Sequence, residues 1–373
     1  GRGEVTPDPK GGVDRAVELV RSLIAPELIG LNADEQVEID STLHEIDGTE
    51  DFSRIGGSTA CAISLAAAEA AASSLGIPLF RHLAGCLPSR LPYPLGNVLG
   101  GGKHARGRGP DIQEFLVLPV GARSFLEAAR VNVEVHRRVG SLLREVDPGF
   151  AGGRDDEGAW ASNLGNEQAL DVVVRACEEV SDELGVECEV GIDMAASTLW
   201  SPEKGRYVYV QDGVERDPGE QLEFVAQLIE RFRLAYVEDP LHEEDFEGFA
   251  ELTRRFRDCL ICGDDLFVTS EGRLSRGARL GAGNAIIIKP NQVGTITDTW
   301  RATRKAFRSG YVAVMSHRSG DTVDPHLAHL AVAFQCPIIK TGVVGGSRIA
   351  KINELLRIEE MLGERAGMAR LRL

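Results

Sequence analysis

Seven short apolar runs recur along the 373-residue chain from residue 115 onward, and amphipathic segments separate them. The runs are FLVLP (115–119), VECEVGID (186–193), LAYVED (234–239), CLICGDD (259–265), AIIIKPN (285–291), YVAVMSH (311–317) and CPIIKTG (336–342). The amphipathic segments include 219–232, 242–257, 295–308 and 346–362. Alternation of this kind predicts βα units with parallel strands, and at least seven units favour a closed (β/α)8-type barrel over an open sheet. No GxGxxG follows the first run, which weakens the alternative of a dinucleotide-binding fold.

The beginning of the chain has a different pattern, with no alternation typical of strands. Residues 13–30 form an amphipathic pattern, and the Ala-rich segment 56–76 predicts a closely packed helix that stops at Gly76. We therefore predict a mostly helical N-terminal domain over residues 1–92 and an α/β barrel over residues 93–373.

Charge and cysteine content exclude several classes of protein. A formal net charge of −16 argues against nucleic acid and anionic membranes as partners, because both need a cationic face. No apolar run approaches 18 residues, and the polar segment Gly1 to Gly12 does not resemble a signal peptide. The seven cysteines are scattered, and the Cys259–Cys262 pair lacks a second pair at zinc spacing, so reduced thiols in a cytoplasmic protein are expected.

Six of the apolar runs end in an ionisable residue. These residues are Asp193, Glu238, Asp264, Lys289, His317 and Lys340, with Asp239 and Asp265 beside the second and third. A single polar residue at the end of a strand is usually only a turn residue. Six in succession are harder to explain in that way, because the carboxyl ends of barrel strands share one mouth, where catalysis takes place.

The order of these charges suggests a particular chemistry. Asp193, Glu238 and Asp264 would repel one another without a divalent cation, and ligation by oxygen alone favours Mg²⁺. Lys289 and Lys340 would then help to bind an anionic substrate. A nearby metal and other cations should favour the neutral form of Lys289, which is a base suited to removing a proton α to a carboxylate.

Sequence spacing alone gives weaker support to the other candidate site residues. Glu114 and Glu157 are carboxylates of a kind that more often lie solvated in loops. The Gly-rich stretch 96–104 is not expected to be regular structure, and forms either a mobile lid carrying His104 or a tight turn. The run 341–347 could cradle an anion, although it is not a Walker A sequence.

At these residues the chain resembles the enolase family, especially its archaeal branch. The matching segments are GGGKHA (100–105), QEFLVLPVGA (113–122), DDEG (155–158), GIDMAAS (191–197), VEDPL (237–241), GDDLFVTS (263–270), IIIKPNQVGT (286–295), MSHRSGDT (315–322), IIKTG (338–342), Ser347-Arg348 and KINELLRIEE (351–360). The helical part matches through IAPELIGLNADEQVEID (24–40) and EIDGTE (45–50). Enzymes of this superfamily combine a Lys or His base with one or two Mg²⁺ ions.

The resemblance implies an activity and a role for each residue. The activity is the Mg²⁺-dependent, reversible dehydration of 2-phosphoglycerate to phosphoenolpyruvate in glycolysis and gluconeogenesis, with two ions per site. Lys289 matches the base that removes the C2 proton, and Glu157 matches the acid that assists loss of the C3 hydroxyl. Asp193, Glu238 and Asp264 match the ligands of the first ion. The substrate-binding residues would be Glu114 as the partner of Glu157, Lys340 for the carboxylate, Arg318 and Ser319 for the phosphate with His317 beside them, and His104 in the lid.

The resemblance also implies that the barrel is the variant found in the family, in which the early strands are not all parallel. The chain departs from the family pattern in other respects. Family members begin with strands and a Ser-Gly-Ala-Ser loop that helps to hold the second ion, whereas this chain begins at Gly1, which matches a point just after that loop. We therefore expect a truncated capping domain with an exposed apolar face, an incomplete second metal site and low activity. Ala159 and Ser162 replace a usual Gly and Pro, and the segment 106–110 carries two extra cations.

Two alternatives to this function remain open from the sequence. One is another enzyme of the superfamily, which acts on a phosphonate or another carboxylate. The other is a non-catalytic fragment that keeps only the fold. The resemblance also implies a homodimer or a larger homo-oligomer.

Overall fold

The structure, a computed structural model, describes residues 1–86, 90–102 and 109–371. Its strands are β1 Arg90–Leu91, β2 Tyr93–Gly100, β3 Glu114–Leu118, β4 Trp160–Ala161, β5 Glu189–Asp193, β6 Trp200–Ser201, β7 Arg206–Tyr209, β8 Val214–Arg216, β9 Tyr236–Glu238, β10 Leu260–Gly263, β11 Ala285–Ile288, β12 Val312–Ser316, β13 Ile338–Lys340 and β14 Gly367–Met368. Its α-helices are α1 Gly12–Leu19, α2 Ala25–Leu28, α3 Gln36–Asp47, α4 Gly57–Ser74, α5 Leu79–Ala84, α6 Phe125–Val146, α7 Asn166–Leu184, α8 Pro218–Phe232, α9 Phe246–Arg255, α10 Glu271–Leu280, α11 Ile296–Arg308, α12 His326–Ala333 and α13 Gly346–Leu362.

Eight strands form a closed barrel. They follow the order β2, β3, β5, β9, β10, β11, β12 and β13, and β13 pairs with β2 to close the ring. The strand β3 runs antiparallel to both of its neighbours, whereas the other pairs around the ring are parallel. The barrel prediction is therefore confirmed, and the regular βα pattern fails at its start, as the family resemblance implied. A separate three-stranded sheet, β6–β8, also lies between β5 and α8.

The predicted helices of the N-terminal part are present. The pattern over 13–30 corresponds to α1 and α2, which a π-helical turn at Val20–Ile24 joins. The Ala-rich α4 buries small side chains such as Ala60 and Ala68, which permit close packing against its neighbours. A small core beside it contains Leu43 and Phe52. The helix α1 exposes two valines, because Val13 is 69% exposed and Val17 is 44% exposed.

The strand β2 corrects the expectation of irregular structure for residues 96–100. Its eight residues are all buried. Glycine is required there for close packing, because a Cβ at Gly96 would lie 2.6 Å from Val343 and one at Gly100 would lie 2.0 Å from the Asp155 carboxylate. The predicted lid residue His104 lies outside the described residues.

Strand register places the candidate acids side by side. Glu114 pairs with Asp193, and Asp193 pairs with Glu238 on the next strand. Because β3 is reversed, its first residue lies at the same mouth as the last residues of its parallel neighbours. A carboxylate from the start of one strand thus joins those from the ends of the others. Within the described part of the chain, no helix is long and apolar enough to cross a membrane.

Candidate active site

A cavity of ≈ 340 Å³ opens at the mouth of the barrel. Its lining includes most of the residues predicted from the sequence, namely Glu114, Glu157, Asp193, Asp264, Lys289, His317, Arg318, Ser319 and Lys340. Glu238 lies just behind them and bonds to Lys340. The structure therefore brings together every predicted site residue except His104, which it does not describe.

Lys340 is the central cation of this cavity. Its Nζ lies 2.9 Å from Glu114 Oε2, 2.9 Å from Asp193 Oδ2 and 2.8 Å from Glu238 Oε2. Burial opposes its charge, but these carboxylates, led by Asp193, hold the pKa of Lys340 well above its usual range. Burial and then Asp193 raise the pKa of Glu238 to about 8, against the opposing effect of Lys340. One ammonium therefore does not fully neutralise the acids around it.

Lys289 has Asp264 as its main partner. Its Nζ donates to Asp264 Oδ2, and Gln292 Nε2 donates to the other carboxylate oxygen at 2.9 Å. Burial alone would raise the pKa of Asp264, but Lys289 and then Gln292 bring it down to about 2. Burial likewise opposes the charge of Lys289, and Asp264 outweighs it and raises the pKa of that lysine. Without a bound metal, the Asp264 carboxylate therefore favours the charged form of Lys289, whereas the neutral form was expected beside a divalent cation.

Asp239 and Asp265 were noted in the sequence but given no role. Their carboxylates and that of Asp264 offer ligand atoms within 4.8 Å of one another, so this group could hold a metal ion. Asp239 also shapes the loop, because its two oxygens accept the backbone N–H groups of Asp264 at 3.0 Å and Asp265 at 2.8 Å. Burial and the nearby acids raise the pKa of Asp239 well above its usual range. An excess of negative charge therefore surrounds this side of the cavity.

Glu157 and His317 form the opposite side of the cavity. His317 Nε2 lies 3.4 Å from Glu157 Oε1, and Asn97 donates to Glu157 Oε2 at 3.2 Å. Asp155 fixes the loop, since its Oδ1 accepts the backbone N–H of Glu157 at 2.9 Å. Burial lowers the pKa of His317 to about 3, and Arg348 and Lys340 act in the same direction, so His317 is neutral at physiological pH. The carboxylate predicted to lie in a solvated loop is instead buried and held in place.

Arg318 and Ser319 follow His317 in the loop after β12. The guanidinium of Arg318 is partly exposed and pairs with Glu4 at 3.1 Å, near Asn291 at 3.4 Å. Arg348 supports the loop from behind, and it is a residue that the sequence gave no function. The only signal for Arg348 was its place in the motif Ser347-Arg348 at the start of the last helix.

Replacing Lys340 with methionine should destabilise the metal-free protein by about 3–5 kcal/mol, because three buried carboxylates lose their shared cation. Burial would then raise the carboxylate pKa values further above those of the unfolded chain, so the loss of stability should grow as the pH rises from 6 to 8. Urea unfolding at both pH values measures the effect, with the exposed Lys204→Met as the matched control. Equal stability of the two variants at pH 8 would contradict the central role of Lys340.

The closed barrel has a buried pocket rich in carboxylates and two lysines at its mouth. These features define a class of enzymes that use divalent metal ions together with acid–base catalysis. Family comparisons agree with that class. The model described as "Enolase, C-terminal TIM barrel domain" matches residues 88–371, and "Enolase, N-terminal domain" matches residues 8–83. The chain belongs to the enolase family, whose members are Mg²⁺-dependent hydro-lyases that convert 2-phosphoglycerate to phosphoenolpyruvate.

Curated relatives named "Enolase" match nearly the whole chain. The protein of Methanosphaera stadtmanae is 53% identical over 97% of this chain and 88% of its own length. That of Methanothermobacter thermautotrophicus is 54% identical over 96% of this chain and 87% of its own length. That of Pyrobaculum aerophilum is 51% identical over 100% of this chain and 88% of its own length. The chain thus spans most of the length of each of these relatives.

Proposed function

We propose that this chain dehydrates 2-phosphoglycerate to phosphoenolpyruvate with Lys289 as the base and Glu157 as the acid. The observation that carries the proposal is that these two groups line one cavity together with several other acidic residues. A second ion and a homo-oligomeric assembly are further predictions from the family resemblance, and a cytoplasmic location is a further prediction from the scattered cysteines.

The acidic residues fit a divalent cation. We assign Asp193, Glu238 and Asp264 as its ligands, because they end or follow the consecutive barrel strands β5, β9 and β10. The raised pKa of Glu238, caused by burial and by Asp193, indicates negative charge in excess of the local lysines. Carboxylate oxygens are the ligands that Mg²⁺ prefers. When bound, the ion neutralises these carboxylates and polarises the carboxylate of the substrate, which makes its C2 proton more acidic.

Lys289 is the proposed base for the C2 proton. It lies partly buried next to Asp264, which raises its pKa, and any weakening of that pair lowers the pKa and favours the neutral amine. Lys340 and Arg318 supply positive charge on the other sides of the cavity. The lysine ammonium suits the substrate carboxylate, and the partly exposed guanidinium suits a phosphate near the opening.

Glu157 is the proposed acid that assists the departure of the hydroxyl. Its carboxyl is buried beside a neutral His317 and an amide donor from Asn97, and the acid Glu114 lines the same cavity. Burial and then Glu157 raise the pKa of Glu114 well above its usual range, so this side of the cavity can hold a proton. A proton given to the leaving hydroxyl releases it as water.

The direct test is to mix the purified protein with 2-phosphoglycerate and to follow phosphoenolpyruvate by its ultraviolet absorbance, with Mg²⁺ and after chelation. Product formation that requires Mg²⁺ is expected. Absence of product at saturating substrate and Mg²⁺ would overturn the proposal.

Metal binding should appear as a gain in stability. Mg²⁺ at 100 times its Kd should raise the free energy of unfolding by about 2.7 kcal/mol. Glu238→Gln should abolish most of this gain, and the matched variant Asp265→Asn should keep it. The opposite result would place the ion among Asp239, Asp264 and Asp265 instead, and thermal unfolding with and without Mg²⁺ distinguishes the two.

A further inference from the structure

Arg348 connects two loops of the active site from behind. It is the third residue of α13 and is only 1% exposed. Its Nη1 donates to the carbonyl oxygen of Arg318 at 2.7 Å, and its Nη2 donates to that of Ser319 at 2.6 Å. Nη2 also reaches the carbonyl oxygen of Asp156 at 3.4 Å, in the loop that carries Glu157. One rigid guanidinium thus holds the backbone next to both the expected phosphate contacts and the expected acid.

The same guanidinium determines which nitrogen of His317 carries a proton. Arg348 Nη1 lies 2.6 Å from His317 Nδ1. A guanidinium has only donors, so Nδ1 must accept and cannot carry hydrogen. In a neutral imidazole the hydrogen is then on Nε2, which lies 3.4 Å from Glu157 Oε1. The ring therefore directs its donor toward Glu157.

We propose that Arg348 is a positioning residue, which fixes the Nε2–H form of His317 and holds the loops of Arg318–Ser319 and of Glu157 in a single arrangement. This inference rests on the proposed function, because it assumes that Glu157 and Arg318 act on the substrate. Arg348 itself does not line the cavity and acts through these neighbours.

The electrostatic surroundings of His317 predict the consequence of losing Arg348. The charged groups that face the ring are Glu157 from the acid loop, Arg348 from α13, Lys340 from β13 and Asp321 from the loop after β12. Arg348 lowers the pKa of His317, whereas Glu157 and Asp321 raise it. Removing Arg348 should therefore make His317 easier to protonate. A protonated ring would stabilise the ionised form of Glu157 and remove the acid.

The test compares Arg348→Met and Arg348→Lys with the wild-type protein. Arg357→Met is the matched control, since Arg357 lies on the same helix and its side chain is 62% exposed. Arg348→Met should lower kcat/KM for 2-phosphoglycerate by about 100-fold, since misplaced groups cost this much. Both a lower kcat and a higher KM are expected, and the pH profile should gain an acidic limb that the control lacks.

A second readout does not depend on activity. Nitrogen NMR of histidine-labelled protein, with His317→Gln to assign the signal, should show the Nε2–H form in the wild-type protein. Arg348→Met should lose that form, and Arg348→Lys should restore part of it, because an ammonium keeps a donor near Nδ1. If Arg348→Met does not fold, the comparison of Arg348→Lys with the wild-type protein still tests the inference.

The outcomes separate this inference from the proposed function. A folded Arg348→Met variant with an unchanged imidazole signal and pH profile would overturn the inference. The same imidazole signal and pH profile in Arg348→Lys and Arg348→Met would also overturn it. Failure of the wild-type protein to form phosphoenolpyruvate would instead overturn the proposed function, and the imidazole signal would still report on Arg348.

Discussion

Replacing Lys289 with alanine is expected to lower kcat for 2-phosphoglycerate by about 10⁴-fold, the upper range for loss of a general base. The lysine is partly buried against Asp264 in the cavity, and it is the lysine that this fold holds beside that carboxylate. The rate of phosphoenolpyruvate formation gives kcat. Exchange of the C2 proton in heavy water should be lost together with it, because both need the same proton transfer.

The matched control for this experiment is Lys204→Ala. Lys204 lies exposed near the β6–β8 sheet and pairs with Glu215. The Lys204→Ala variant should form phosphoenolpyruvate at the wild-type rate. If Lys289→Ala kept its C2 proton exchange while losing dehydration, Lys289 would not be the base, and the acid–base assignment would have to be reversed.

Replacing Glu157 with glutamine should separate the two halves of the reaction. We expect dehydration to fall by about 10³-fold, while exchange of the C2 proton continues at a measurable rate. The reason is that Lys289 stays in place, whereas the hydroxyl leaves without an acid. Glutamine preserves the size of the side chain and can still accept from Asn97, which keeps the loop arrangement.

Two comparisons make this second result decisive. The exposed Glu178→Gln should behave like the wild-type protein in both assays. Loss of proton exchange in the folded Glu157→Gln variant would show that Glu157 is needed before the hydroxyl leaves. Unchanged dehydration would remove Glu157 from the mechanism.

The acids and lysines of the site could be predicted because they continue apolar runs. Each run from β5 to β13 is rich in Val, Ile or Leu, and its strand ends close to the predicted polar residue. Parallel strands bring these ends to one mouth, so a local pattern carried information about distant residues. The reversed β3 followed only from the family resemblance, since a five-residue apolar run does not show its direction.

Other features depended on contacts between distant parts of the chain. The Gly- and Asn-containing β2 lacks the strand pattern, and it is a strand because its backbone pairs with β3 and β13. Its glycines lie where Val343, Asn132 and Asp155 leave no room for a Cβ atom. The charge state of Lys289 also depended on its partner. The sequence suggested a neutral amine beside a divalent cation, and without that cation the close Asp264 carboxylate raises the pKa of the lysine.

The sequence by itself determined the barrel and the set of groups at its mouth, because hydrophobic periodicity and strand-end residues are local properties of the chain. Only the tertiary structure decided how these groups pair, which proton each one holds, and that Arg348 lies behind the loops that carry them. The physical reason is that protonation and orientation depend on burial and on charges a few ångströms away, and residues far apart in the sequence supply those charges.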